Sequence, residues 1–283
     1  MADVRTPASM KPRLTITPRR RWLAINLAEL LEFRSLLSRF AARDVTLRYR
    51  QTALGVAWVV LQPLLGAGIL SFVFGSVAHL PGPAGVPYFV FSLTGMVAWT
   101  TFSQITTRAS SSLVGNAQLV SKVYFPRLLL PLSTVLSTLI DVGVSLGLLG
   151  VLMLLYGVHP GPALVLLPVW LLLLVSASLG IGMGAGALMV RYRDVQYLLP
   201  VAVQFLLYAS PVAYALSAVP ASARRVYELN PLTGLLEGVR WSVLDSTRPS
   251  SGLLLYSVAT SVLLLIVGLL FFTRAERRFA DVI

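Results

Sequence analysis

Four charged side chains crowd into eight residues near the start of the chain: Arg43, Asp44, Arg48 and Arg50, in the run RDVTLRYRQTALGVAWVVLQPLL from Arg43 to Leu65. From Ala53 onward no charge recurs until Arg108. Charge that stops so abruptly marks the place where water gives way to lipid. One reading is a cationic anchor that only fixes orientation; the other is a helix at the membrane surface that offers a face to a partner. A second group, Asn116, Gln118, Lys122, Tyr124, Phe125, Pro126 and Arg127, lies in NAQLVSKVYFPRLLLPL. Asn116 can cap a short helix that must break at Pro126. The aromatics suit either a groove on another protein or a membrane-interface belt. Arg191, Arg193 and Asp194 form a third group, where a local ion pair would hold a short turn. A fourth is NPLTGLLEGVRWSVL, with Asn230, Pro231, Glu237, Arg240 and Trp241. Asn230 followed by Pro231 is a helix start, and the run is apolar enough to dip toward a membrane but too short to cross one.

Other chemistry is poorly supplied. Cysteine is absent, so there is no disulfide, thiolate metal site or cysteine nucleophile. His79 and His159 stand alone, and no Walker sequence appears. The run GIGMGAG, residues 180–186, lies deep in an apolar stretch with no strand before it, so it reads as a helix-packing surface; Gly143 and Gly147 read the same way. Asp141 is an ionisable residue well inside an apolar stretch, which makes it a functional candidate. With no evident basic partner in a span, its expected role is to bond Ser or Thr side chains of neighbouring helices.

The elements that must position these groups follow from composition. The 283 residues are 56% hydrophobic and 12% charged, with a mean hydropathy of +0.79, which is the balance of an integral membrane protein. A span takes roughly 20 apolar residues. Six stretches qualify: Ala57–Val77, Phe89–Thr107, Leu128–Tyr156, Ala163–Val190, Leu198–Leu216 and Leu253–Thr273. Residues 1–56 read as a tail, flexible over Met1–Arg21 and amphipathic over Trp22–Phe40, and then an interface helix. Residues 57–273 are the membrane domain, with an external loop at 217–252, and 274–283 are a C-terminal tail. Nineteen basic residues fall in the segments on one side of these spans and four on the other, so both termini are expected in the cytoplasm. The net charge of +12 orients the protein; without a recognisable nucleic-acid module it gives no reason to expect nucleic acid as a partner.

The opening RDVTLRYRQTALGVAWVVLQPLL, the loop NAQLVSKVYFPR, the segment RYRDVQYLLPVAVQFLLYASPVAY and the run NPLTGLLEGVRWSVL together resemble the membrane subunits of ABC exporters for bacterial surface polysaccharides, the O-antigen, capsule and teichoic-acid family. The likeness runs from about Leu36 to the C-terminus. It implies an all-α permease of six spans in the bacterial inner membrane, acting as a homodimer with two separate ATPase subunits. ATP and magnesium would be bound by those subunits, and this chain would carry no cofactor and catalyse no reaction. The first three charged groups above would then couple to the ATPase, and the fourth would form an external gate. The substrate implied is a lipid-linked glycan, on an undecaprenyl carrier. Sugars stack their C–H faces on aromatic rings and bond their hydroxyls to amides and hydroxyls. Trp58, Gln62, Phe91, Trp99, Phe102, Gln204, Phe205, Tyr208 and Tyr214 are the candidates for lining the path. An exporter of drugs or small lipids shares the architecture, and a membrane transferase acting on lipid-linked sugars is a further alternative.

Overall fold

In the computed structural model the described residues are 27–50, 55, 57–80, 82, 83 and 85–282. The expected tail Met1–Arg21, the beginning of the amphipathic stretch and residues 51–54 lie outside them. The described residues form eleven α-helices and no strand: α1 Leu27–Glu32, α2 Arg34–Tyr49, α3 Ala57–Leu70, α4 Tyr88–Ser111, α5 Ala117–Lys122, α6 Leu129–Leu155, α7 Leu167–Arg191, α8 Val195–Tyr208, α9 Ala221–Glu228, α10 Pro231–Leu244 and α11 Ser251–Val282. An all-helical answer is what lipid demands, because a helix satisfies its own backbone hydrogen bonds.

Four helical stretches are long and apolar enough to cross a membrane: Ala57–Val77, Leu129–Leu155, Pro162–Arg191 and Ser251–Glu276. The other two expected spans differ from these for separate reasons. The first, α4, has the length but not the apolarity, since it carries Ser92, Thr94, Thr101, Gln104, Thr106 and Arg108 among others. Its hydroxyls fold back on its own carbonyls, as in Thr94 to Val90 at 2.9 Å and Thr101 to Val97 at 2.8 Å. Because α4 packs against α3, α6, α7 and α10, protein rather than lipid surrounds it. The second, α8, has only 14 residues, about 21 Å at 1.5 Å per residue against a hydrocarbon core of roughly 30 Å. The expected stretch Leu198–Leu216 is therefore helical only in its first part, and the chain unwinds from Ala209 toward Ala215, around Pro211.

Helix α2 does not lie free at an interface. It packs on α6, burying Phe40 and Ala41, while Leu47, expected on the same apolar face, is exposed. At the other end of the chain, α11 continues through Thr273 to Val282, so no separate C-terminal segment begins at residue 274.

Of the glycine-rich run, Gly184 has no atom within 4 Å of where a Cβ would stand, which corrects the expectation of close packing there, and the other three sort onto two neighbours. Gly182 and Gly186 meet Thr106, Ala109 and Ser110 of α4, and Gly180 meets Leu264 and Gly268 of α11 backbone to backbone. Gly143 and Gly147 have no atom within 4 Å of where a Cβ would stand, so the expectation of close packing there is corrected. Gly268→Val is expected to lower stability by about 1–3 kcal/mol, because the added atoms fall on the backbone of Gly180. Gly143→Ala, entering open space, should leave it unchanged or slightly raised. Thermal unfolding of both variants in the same detergent checks this; equal midpoints would refute the backbone contact.

Candidate functional site

The helices converge on two poles. At the first, which is rich in arginine, α2 is tied to α6 and to the end of α4. The Arg43 guanidinium donates to Asp44 at 3.0 Å and to Asn116 Oδ1 at 2.9 Å, and Ser133 donates to the other Asp44 oxygen at 3.3 Å. Asn116 was expected to cap α5 with its side chain. Its amide instead bridges Arg43 and the Ser112 carbonyl, at 2.8 Å to the latter. Arg48 and Arg108 both donate to Asp141 Oδ2, Arg108 at 3.1 Å, and Arg108 also reaches Thr138 at 3.0 Å. Asp141 therefore has basic partners, which corrects the expectation of hydroxyl bonding alone. They come from α2 and α4, far away in the chain. Beside this cluster, Asp44, Arg48, Arg108, Asn116 and Ser137 line an open cavity of about 410 Å³. Arg50 takes no part: it is exposed where α2 ends.

The same pole presents α5. Gln118, Lys122 and Tyr124 are exposed, Tyr124 by 86%. Its neighbour Phe125 is buried, edge-on to Phe40 at 5.6 Å, so it fastens the loop to α2 and is not free to dock. Pro126 is half-buried, and Arg127 is clasped by Glu276 of α11, its backbone N–H donating to the carboxylate at 3.3 Å and its guanidinium to the carbonyl. Arg191, Arg193 and Asp194 are exposed at the turn into α8. The expected ion pair of Asp194 does not form among the described residues. Its carbonyl accepts from the N–H groups of Tyr197 and Leu198, each at 3.0 Å, and Arg191 lies 5.2 Å over the Tyr192 ring.

The nine path candidates separate into three kinds. Trp58 and Gln62 share the outward face of the stretch Ala57–Val77 with Leu65, Ile69 and Phe72, and Gln204, Phe205 and Tyr208 are exposed on α8. Phe91, Trp99 and Phe102 are 1%, 5% and 1% exposed in the core, which corrects the expectation that they line a path. Tyr214 is half-buried near the end of α8, its hydroxyl donating to Tyr227 at 2.9 Å and its ring 5.9 Å from Phe74.

At the second pole, α10 is inserted among α4, α7 and α11 with eleven of its residues buried. Its start is as expected: the Asn230 side chain accepts from the Leu232 N–H at 3.0 Å, with Pro231 at the first helical position. The Asn230 amide also donates to Ser210 at 2.8 Å. Arg240 is wholly buried. It donates to the carbonyls of Pro211 at 2.7 Å, Tyr214 at 3.0 Å and Val212, and to Glu237 at 3.1 Å, with its guanidinium 4.0 Å over the Phe91 ring. Glu237 further accepts from the Leu216 N–H at 3.3 Å. Trp241 is half-buried beneath Arg248, at 5.5 Å. The unwound stretch after α8 thus lends its carbonyls to one cation. Gly95 of α4 is the seat for this arrangement, since a Cβ there would overlap the Val212 carbonyl and stand 2.6 Å from Arg240 Nη2.

Sequence reasoning missed Arg108, Gly95 and Glu276. Arg108 carried a partial signal, as the basic residue that ends a long uncharged stretch, while its partner Asp141 lies in the middle of another. Gly95 and Glu276 carried none, as only the packing gives them partners.

Comparison with known proteins bears on what this arrangement serves. Over 255 residues the chain is 30% identical to an O-antigen export system permease protein of Myxococcus xanthus, covering 89% of this chain and 97% of that one. It is 28% identical over 247 residues to the corresponding permease of Klebsiella pneumoniae, covering 85% and 92%. With the polysialic acid transport protein KpsM of Escherichia coli it shares 28% over 242 residues, covering 83% and 91%. Residues 36–244, from the helix that carries the arginine cluster to the end of the inserted α10, match the ABC-2 type transporter family of membrane proteins, and the chain belongs to that family.

Proposed function

We propose that the chain is the permease half of an ATP-driven exporter of a surface polysaccharide, carried on an undecaprenyl-type lipid. Two copies enclose the path, each binding a separate ATPase subunit that holds ATP and magnesium. The observation that carries this reading is the outward face of α3 and α8. Aromatic rings and amides, Trp58, Gln62, Gln204, Phe205 and Tyr208, are exposed there on helices that α4, α6 and α7 support from behind. Pure lipid contact gives no reason for Gln62 and Gln204, whereas a face shared with a second copy and a sugar chain does. In this arrangement α4, and α8 together with the unwound stretch that continues it to Ala215, complete six crossings with the four apolar helices, and both termini are cytoplasmic. The arginine-rich pole then faces the ATPase through Gln118, Lys122 and Tyr124 of the α5 segment and through the turn at Arg191–Asp194.

A polymer passes through a path of shallow, repeated contacts more readily than through one deep site, because conduction requires binding weak enough to leave. Each aromatic contact is worth about 0.5–1.5 kcal/mol, so single Ala replacements at Trp58, Phe205 and Tyr208 are expected to slow export by roughly two- to tenfold. The triple replacement should stop it while the ATPase still co-purifies. Tyr124→Ala with Lys122→Glu should do the reverse, releasing the ATPase from a folded permease. Surface glycan measured in cells, with pull-down of the partner, reads both. Normal export by the triple variant would sink the path, and undiminished ATPase binding by the α5 variant would sink the docking face.

A further inference from the structure

The second pole holds a cleft apart from the exposed face of α3 and α8. It measures about 390 Å³ and opens between α9, α10 and the loop that joins α10 to α11. Asp245 makes that loop possible by ending α10 in the left-handed conformation, at φ 50°. Arg224, Glu228, Ser246, Thr247 and Arg248 stand on the polar wall, and Pro83, Pro249 and Leu253 supply apolar surface. Two atoms of this wall, Arg224 Nε and Ser246 Oγ, are buried without a hydrogen-bond partner among the described residues. Arg224 spends its Nη2 on the Ser217 carbonyl at 3.3 Å, which fixes the guanidinium and leaves Nε–H in need of an acceptor. Buried polar atoms of this kind are a small minority in native proteins, and a ligand that satisfies them is one explanation.

The chemistry of the wall selects the ligand. Arg224 and Arg248 would repel a metal cation, and Glu228 with the nearby Glu237 would repel a phosphate. A sugar hydroxyl both donates and accepts, so it suits a wall that offers guanidinium donors, carboxylate acceptors and hydroxyls together. The proline and leucine surface suits the C–H face of a pyranose ring. The volume lies at the low end of the roughly 300–1,000 Å³ of small-molecule sites, room for a short stretch of glycan and not for a coil.

We propose that this cleft is a saccharide-binding site that takes a short neutral stretch of the polymer as it leaves the path. The proposal rests on the exporter reading for the source of the sugar, but the binding itself can be tested without it. The full chain in lipid nanodiscs is mixed with methyl mannoside, methyl galactoside, methyl rhamnoside and N-acetylglucosamine in turn, and saturation-transfer NMR reads contact with the sugar protons. Trp241, stacked under Arg248, gives a second signal through its fluorescence. At least one sugar should bind, and Arg224→Ala and Glu228→Gln should each weaken it by roughly tenfold, the loss of about one charge-assisted hydrogen bond. Both side chains are only half-buried, so neither change threatens the fold. Inorganic phosphate at equal concentration should not displace the sugar. Absence of binding by all four sugars, undiminished binding in both variants, or displacement by phosphate would each overturn the site. Surface glycan in cells lacking the chain tests the exporter reading separately. If the wild type restores glycan but no sugar binds, the cleft alone fails; if glycan is unaffected by deletion while sugars bind, the cleft stands and the exporter reading fails.

Discussion

Asp141→Ala is expected to destabilise the folded chain by about 3–5 kcal/mol, the usual consequence of removing one member of a buried ion pair. Asp141 is 6% exposed and receives both Arg48 and Arg108, so its loss sets two cations side by side without the carboxylate they share. Solvent in the adjoining cavity relieves part of this, since the arginine side chains are 24% and 28% exposed, but the site of the lost carboxylate is buried. Helix α2 should suffer most, since Arg48 is one of its main ties to α6. A combined Arg48→Met, Arg108→Met, Asp141→Leu variant should recover most of the stability, as apolar substitutes for whole buried ion pairs often do. Unfolding in mixed detergent micelles, with a fluorophore on α2, measures both effects. A loss below about 1 kcal/mol for Asp141→Ala would place this cluster among ordinary surface ion pairs.

A comparable loss is expected at the opposite pole from Arg240→Met. That change strands the carbonyls of Pro211, Val212 and Tyr214 and the Glu237 carboxylate together, at about 3–5 kcal/mol. Unlike Asp141→Ala, it should act locally. The unwound stretch from Ala209 to Ala215 would lose its anchor, so its backbone amides should exchange faster with deuterium while those of α7 and α11 stay protected. Arg240→Lys should be intermediate, because an ammonium group cannot span acceptors that the guanidinium fork reaches at once. Unchanged exchange across 209–215 in the methionine variant would refute the anchoring role.

What could be read from the sequence was what local chemistry decides. Asn230 and Pro231 mark the start of α10 because an amide cap and a proline at the first position act within one turn, and Leu244 ends the apolar run where the helix ends. The same limits did not hold for the stretch Leu198–Leu216. Its apolarity concealed the break, although Pro211 was present, since the fate of the unwound carbonyls depends on Arg240, which lies 29 residues beyond Pro211. Tyr124 and Phe125 illustrate a different limit. Adjacent aromatics on a loop are equivalent in composition, and only the ring of Phe40 decides that one turns inward. Asp141 lacked a visible partner for the same reason: Arg48 is 93 residues away in the chain, and helix packing alone brings them together. The hydroxyls of α4 belong with these cases. The stretch Phe89–Thr107 counted as an apolar span with its hydroxyls unremarked, whereas burial inside the bundle is what permits them.

The 32 residues of α11 make a rod of about 48 Å that touches both poles. Tyr256, near its start, donates to the Leu229 carbonyl at 2.8 Å beside α10, and Glu276, near its end, clasps Arg127 next to the exposed α5. Between them Gly268 and Gly180 meet without side chains, a place where the backbones of α11 and α7 lie against each other. A stiff rod held at one such point turns about it as a lever about a fulcrum. Its arms are about 18 Å toward Tyr256 and about 12 Å toward Glu276, counted at 1.5 Å per residue. A rigid tilt of α11 about that point would move the Tyr256 end opposite to the Arg127 end and by about one and a half times as much, which would link the ground beside α5 to the roof formed by α9 and α10.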